Sequence, residues 1–93
     1  MKTIDFPFFR NGFKYELVER NGNVCIVRCT KTPYEHFEVI RVCVDAEGNE
    51  SYPSGNDWGV RGWTHQTLHN ARQKMKAEAS NDRHWQFVTG VKG

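Results

Sequence analysis

Apolar and polar residues alternate with a period of two along much of the first half of the chain. Phe13, Tyr15 and Leu17 alternate with charged neighbours, which is the spacing of a strand with one buried face. Asn21-Gly22 follows, and this pair favours a type I′ turn because both residues tolerate positive φ angles. The pattern predicts three antiparallel strands, at 13–20, 24–30 and 37–45.

The third of these strands has two apolar faces. Ile40, Val42 and Val44 share one face, which we expect to meet the core, and Phe37 and Val39 lie on the other with Arg41 and Cys43.

Two prolines limit the strands. Pro7 interrupts the apolar run 4–9, which is typical of an edge or an extended arm. Pro33 cannot donate to a central ladder, so 31–34 is expected to end the second strand and to open a longer connection. Residues 46–50 predict a polar turn, and residues 51–62 combine turn formers with two aromatic residues and predict a structured loop.

The second half of the chain changes to a helical period. Apolar residues recur at Leu68, Ala71, Met75 and Ala79, which predicts a helix over 64–79. Thr64 would be its N-cap, and Trp63 would pack on Leu68 as a hydrophobic staple. The apolar segment 84–88 is expected to return to the core as a short fourth strand.

These elements predict one α+β domain spanning residues 1–93. Its three- or four-stranded antiparallel sheet would pack against one C-terminal α-helix. Only 38% of the residues are apolar, but six Phe, three Tyr and three Trp supply large buried areas, so the core should be rich in aromatic rings.

Charge and cysteine content suggest the environment of the protein. The formal net charge of +2 is too small for a dedicated nucleic-acid binder, so any basic surface must be local. Three cysteines, an odd number, lie in strand-like runs and indicate a reducing compartment. No apolar stretch reaches transmembrane length and no signal peptide is evident, so we expect a soluble protein of the cytoplasm that does not bind membranes.

The side chains that could bind a metal or act in catalysis do not form a known motif. His65 and His69 are four residues apart, but the glutamate of the zinc-protease motif is missing and no third ligand follows by spacing. Cys25 and Cys29 would be about 13 Å apart on one strand, too far to share a metal, so they are interpreted as packing residues. The sequence therefore predicts no cofactor, no metal and no catalytic residue.

A basic stripe on the predicted helix is the strongest candidate for a binding site. His65, His69, Arg72 and Lys76 follow one another at spacings of four, three and four. Two arginines could extend the stripe and two aromatic residues could add stacking surfaces; these are Arg61, Arg83, Tyr52 and Trp58. Such a surface suits nucleic-acid phosphates and bases, or an acidic protein groove. The alternative is an ordinary solvated helix face, with Trp58 as a core residue.

The stretch from Ser51 to Thr64, Ser-Tyr-Pro-Ser-Gly-Asn-Asp-Trp-Gly-Val-Arg-Gly-Trp-Thr, followed by Leu68, Ala71 and Met75, resembles small bacteriophage accessory proteins. The three preceding strands extend this resemblance over residues 13–79. Among such proteins the anti-CRISPR group fits best. The resemblance implies a non-catalytic inhibitor that binds a host ribonucleoprotein, a type I CRISPR surveillance complex, and blocks recognition of target DNA.

Under this hypothesis the basic residues would contact guide-RNA phosphates or acidic patches of the complex, and affinity would come from shape and charge. Two alternatives remain open. The first is a small phage regulatory protein that binds DNA or RNA directly through the same stripe. The second is an enzyme whose site has no recognisable motif.

Overall fold

Five strands, at 8–10, 13–21, 24–31, 34–41 and 62–65, lie side by side in that order in an antiparallel sheet, and one helix packs against a face of this sheet, in a computed structural model of the chain. The structure describes residues 2–92, and the side chains of Asp57 and of residues 81–92 are outside the description. The elements are β1 Phe8–Arg10, β2 Phe13–Asn21, β3 Val24–Lys31, β4 Tyr34–Arg41, β5 Cys43–Val44, β6 Glu50–Ser51, β7 Gly62–His65 and α1 Leu68–Lys92. The predicted α+β class is confirmed, with five strands in the main sheet and a separate two-stranded β5-β6 ribbon.

The first hairpin was not expected from the sequence. β1 pairs with β2 through Phe8↔Tyr15 and Arg10↔Phe13, so the segment 4–9 contributes an edge strand, which is the first of the two alternatives that Pro7 indicated. The two loop residues, Asn11 and Gly12, have φ angles of 54° and 81°. Positive φ at both positions is the pattern of a type I′ turn, which Asn-Gly favours.

The predicted hairpin between β2 and β3 is confirmed, but its turn is placed one residue later. Asn21 pairs with Val24, which leaves Gly22 and Asn23 as the loop. Only Gly22 has a positive φ, 62°. Glycine at the first loop position with positive φ is typical of a type II′ turn, so the type I′ prediction is wrong here.

The connection between β3 and β4 is a tight turn, not the longer segment that we expected after Pro33. Lys31 pairs with Tyr34, so Thr32 and Pro33 alone form the loop, and the bond between them is cis, as is Phe6-Pro7. Pro33 lies outside the ladder, as its missing N–H requires. The predicted third strand begins earlier and is divided into β4 and β5.

The sheet buries apolar residues on both faces. The aromatic face is built on Tyr15, Cys25, Val27, Cys29, Ile40 and Val42, with Ile4, Phe6, Phe8, Phe13, Tyr52 and Trp58 packed around them. The helix face comprises Val24, Ile26, Phe37, Val39, Ala71 and Met75, with Trp63 and Leu68 beside them. The prediction that the face of Ile40, Val42 and Val44 meets the core is confirmed for Ile40 and Val42, whereas Val44 is 50% exposed; the opposite face of the strand is buried as well.

The helix begins later than predicted. Trp63 and Thr64 belong to β7, where Trp63 pairs with Val39 and Thr64 with Glu38. The Oγ1 atom of Thr67 accepts a hydrogen bond from the Asn70 N–H at 3.2 Å, so Thr67 caps α1. Thr64 is not the N-cap, and Trp63 and Leu68 do not occupy the positions of a hydrophobic staple around Thr67, because aromatic and β-branched residues at 63–64 complete the sheet instead.

The helical spacing itself was predicted correctly, since Ala71 and Met75 are buried against the sheet. The strand predicted at 84–88 was wrong, because this segment falls within the bounds of α1. Among the helices of the described residues, none is long and apolar enough to cross a lipid bilayer.

Candidate functional site

The predicted basic stripe is divided by the late start of the helix. His65 lies on β7 opposite Phe37, and its Nε2 atom is buried with no hydrogen-bond partner among the described residues. Burial, and then the positive charge of Lys74, lowers the pKa of His65 below its usual value of 6.5. His65 is therefore a partly buried residue of the sheet and does not belong to an exposed cationic surface of the helix.

The two aromatic residues of the predicted site belong to the opposite face of the sheet. The Tyr52 hydroxyl donates a hydrogen bond of 2.5 Å to Glu38 Oε1. The Trp58 indole N–H donates to Thr64 Oγ1 at 3.1 Å, and its ring packs against Gly62. Trp58 is therefore a packed residue, the alternative that the sequence left open. The sheet separates both rings from α1.

Of the two additional arginines, only the side chain of Arg61 is described, and it lies away from the stripe. Arg61 precedes β7 and donates from Nη1 to the Cys43 sulfur at 3.6 Å. It lines a pocket of about 620 Å³ together with Arg41, Val60 and Glu78. The side chain of Arg83 lies outside the described residues.

Three of the eight predicted residues remain together on α1, and we call them the basic helix face: His69, Arg72 and Lys76. All three are exposed. Arg72 Nε lies 3.2 Å from Glu19 Oε1 on β2, with side-chain exposures of 58% and 46%. His69 Nε2 lies 3.2 Å from Gln73 Nε2, one turn further along the helix.

A polar groove borders this face. It has a volume of about 410 Å³ and lies where α1 approaches the β2-β3 turn. Asn21, Lys76, Ala79 and Ser80 line it. The Lys76 ammonium and Ser80 hydroxyl groups on α1 and the Asn21 amide on β2 can donate hydrogen bonds to an anionic group in the groove. The sequence did not indicate the groove, because Asn21 is far from α1 along the chain.

A second group of polar side chains lies in the aromatic face, and their spacing along the chain does not indicate that they meet. Cys29 and His36 are direct partners across β3 and β4, and Glu38 is two residues beyond His36 on the same face. The thiol, imidazole and carboxylate ligand atoms all lie within 4.8 Å of one another. We call Cys29, His36 and Glu38 the buried polar cluster.

Hydrogen bonds and burial determine the chemistry of this cluster. His36 Nε2 lies 3.1 Å from Glu38 Oε2, while Tyr52 occupies the other carboxylate oxygen. Burial, followed by the negative charge of Glu38 and a hydrogen bond to it, strongly raises the pKa of the Cys29 thiol. The same causes strongly raise the pKa of Tyr52. A protonated, fully buried thiol is a poor nucleophile.

The buried polar cluster depends on the short β3-β4 turn. A two-residue loop places residues 29 and 36 opposite each other, whereas the longer connection expected from the sequence would separate them. The aromatic shell also orients the imidazole, because Phe13 contacts the His36 ring edge to face with the centroids 5.5 Å apart.

Comparison with models of known protein families identifies no matching family, and comparisons with curated proteins and with solved structures find no match.

Proposed function

We propose that this chain is a non-catalytic, anti-CRISPR-like inhibitor encoded by a phage, which binds a type I CRISPR surveillance complex in the host cytoplasm and blocks recognition of target DNA. The observation that carries the proposal is the basic helix face beside the polar groove. Arg72 and Lys76 are exposed, one turn apart, and the groove brings Asn21 and Ser80 next to Lys76.

The proposed surface fits an acidic or phosphate-bearing partner. Cations on a rigid helix attract phosphate oxygens or carboxylates without chemical change, and the attraction also steers association. The Glu19 carboxylate holds the Arg72 guanidinium at the surface at 3.2 Å. An exposed ion pair of this kind contributes little to folding stability, so Arg72 is available to exchange Glu19 for a partner's anionic group.

The buried polar cluster also favours a binding protein over an enzyme. It contains the side-chain types of a nucleophile and a base, but burial raises the pKa of Cys29 and leaves its thiol with no exposed surface. A substrate would have to displace the aromatic shell to reach the sulfur.

Charge reversal tests the proposal. The double variant Arg72→Glu/Lys76→Glu should no longer recover Cas subunits from a lysate of a host with a type I system, and should lose inhibition of target-DNA binding. Lys14→Glu/Arg28→Glu makes the same change in net charge on strands outside the basic helix face and should retain both activities. Recovery of no Cas subunits by the wild-type chain would refute the proposal.

Direct binding to nucleic acid is the competing outcome of this experiment. A purified chain that retains DNA or RNA without any Cas protein, with an affinity that falls steeply as salt increases, would be a regulatory protein contacting phosphates directly. The same double variant should then lose nucleic-acid binding, so both outcomes assign the basic helix face a role. Unchanged activity of the variant in both assays would exclude this face.

A further inference from the structure

We infer that the buried polar cluster is a zinc site in which Cys29 Sγ, His36 Nε2 and Glu38 Oε2 bind one Zn²⁺ ion. Thiolate, imidazole and carboxylate are the three side-chain ligands that zinc prefers. They come from two adjacent strands, so the sheet holds their backbones at fixed separations.

The distances between the ligand atoms are close to those that zinc needs. Tetrahedral zinc holds nitrogen, oxygen and sulfur ligands about 3.3–3.6 Å apart. His36 Nε2 and Glu38 Oε2 are separated by 3.1 Å, and all three ligand atoms lie within 4.8 Å of one another. To bind one ion, the ligand atoms have to approach one another by at most about 1.5 Å.

Charge provides an independent reason for a cation at this position. The Glu38 side chain is 10% exposed, and of the described side chains only that of His36 forms an ion pair with it. A buried carboxylate needs a compensating positive charge. One Zn²⁺ ion with one thiolate, one carboxylate and one neutral imidazole forms a neutral unit, which suits the apolar surroundings of the aromatic face.

The groups around the cluster also have the arrangement found at protein metal sites. Metal-binding carboxylates are themselves held by hydrogen bonds, and the Tyr52 hydroxyl donates one to Glu38 Oε1, leaving Oε2 for the ion. His36 is 22% exposed, so solvent reaches this edge of the cluster, where an ion can enter and a water molecule can complete the coordination.

Zinc binding to the purified full-length chain tests the site. After treatment with a chelator and its removal, titration with Zn²⁺ should give one ion per chain by calorimetry. Titration with Co²⁺ should produce a thiolate-to-cobalt charge-transfer band. His36→Ala, at the most exposed ligand, should weaken Zn²⁺ binding by about tenfold or more, and Tyr52→Phe by about tenfold through the less well oriented Glu38.

Matched cysteine variants assign the sulfur ligand. Cys29→Ala should abolish the charge-transfer band, whereas Cys25→Ala, buried on the same face of the same strand, and Cys43→Ala should retain it. Circular dichroism confirms that each variant is folded. If Cys29→Ala does not fold, the Zn²⁺ affinity of His36→Ala tests the site instead. The inference is overturned if the wild type binds no Zn²⁺, if His36→Ala binds it equally well, or if the band depends on Cys43.

Discussion

The indole ring of Trp58 packs against Gly62 so closely that a Cβ atom at residue 62 would overlap ring carbons of Trp58. Gly62 is buried and pairs with Ile40 at the end of β7. Because residue 62 has no side chain, the Trp58 ring can cover the edge of the aromatic face. The indole N–H of Trp58 then donates a hydrogen bond to Thr64.

Alanine substitutions at three nearby glycines should separate steric overlap from backbone strain. Gly62→Ala should lower the free energy of unfolding by about 1–3 kcal/mol, because the ring must move. Gly59 has a φ of 90° with open space around its Cβ position, so Gly59→Ala should cost about 1–2 kcal/mol from conformation alone. Gly55 has neither feature, and Gly55→Ala should change stability by less than about 0.5 kcal/mol. Urea unfolding of the three variants measures these free energies. A loss of stability in Gly55→Ala as large as in the other two variants would contradict the assignment of causes.

The ion pair between Arg41 and Glu78 should be the strongest polar link between the sheet and α1. Arg41 Nε lies 3.0 Å from Glu78 Oε1, Arg41 Nη2 donates to the Glu78 carbonyl oxygen at 2.7 Å, and the side chains are only 16% and 10% exposed. Glu78→Ala should cost about 3–5 kcal/mol, because it leaves a buried guanidinium without its carboxylate.

The double variant Arg41→Met/Glu78→Leu provides the control for this prediction. It removes both charges and keeps apolar volume, so it should be less destabilised than Glu78→Ala. Chemical denaturation of both proteins decides the point. If the double variant is less stable than Glu78→Ala, the attraction within the ion pair stabilises the fold by more than the free energy needed to bury the two charges.

Acid should destabilise the protein in part through His65. Its pKa is lowered in the folded state, so the unfolded chain binds the proton more readily near and below pH 6.5. Stability present above that pH is therefore lost as the pH falls through the folded pKa. His65→Leu removes this contribution, and its free energy of unfolding should fall less than that of the wild type between about pH 7.5 and about pH 5.5. His69→Leu, at an exposed position, serves as the control and should leave the wild-type dependence unchanged.

The position of the helix start can be tested at two threonines. Thr67→Ala removes the hydroxyl that caps α1 and should cost about 0.5–2 kcal/mol, whereas Thr67→Ser should restore most of the loss. Thr64→Ser, which keeps the acceptor for Trp58, should not lower helix content. Circular dichroism together with thermal unfolding distinguishes the two positions, and a larger loss of helix at Thr64 would restore the original prediction of the N-cap.

The sequence was sufficient to predict the α+β class because the period-two and helical segments are well separated. It also contained the β1-β2 hairpin, since Asn11-Gly12 is the same turn-forming pair as Asn21-Gly22. The flanking strand of three residues, following Pro7, was too short to show alternation. At Trp63-Thr64 the local signals for an N-cap and for a strand conflict, and pairing with β4 resolves the conflict in favour of the strand.

The candidate sites were less predictable for a different reason. His69, Arg72 and Lys76 could be grouped from helical spacing because they lie on one element. Cys29, His36 and Glu38 come together only through the register of β3 against β4, which depends on the length of one turn. Single-sequence spacing does not show such cross-strand neighbours, and Tyr52 joins them from a loop.

Burial on both faces of β3 means that hydrophobicity alone does not specify its register. The run Val24-Cys25-Ile26-Val27 is fully buried at every position, so a slip by one residue would exchange one set of apolar side chains for another. The two-residue loops at both ends of the strand must therefore define its alignment with β2 and β4. Inserting one residue into the β3-β4 loop would preserve an apolar interior while moving Cys29 away from His36, so the length of this turn determines which polar side chains meet in the sheet.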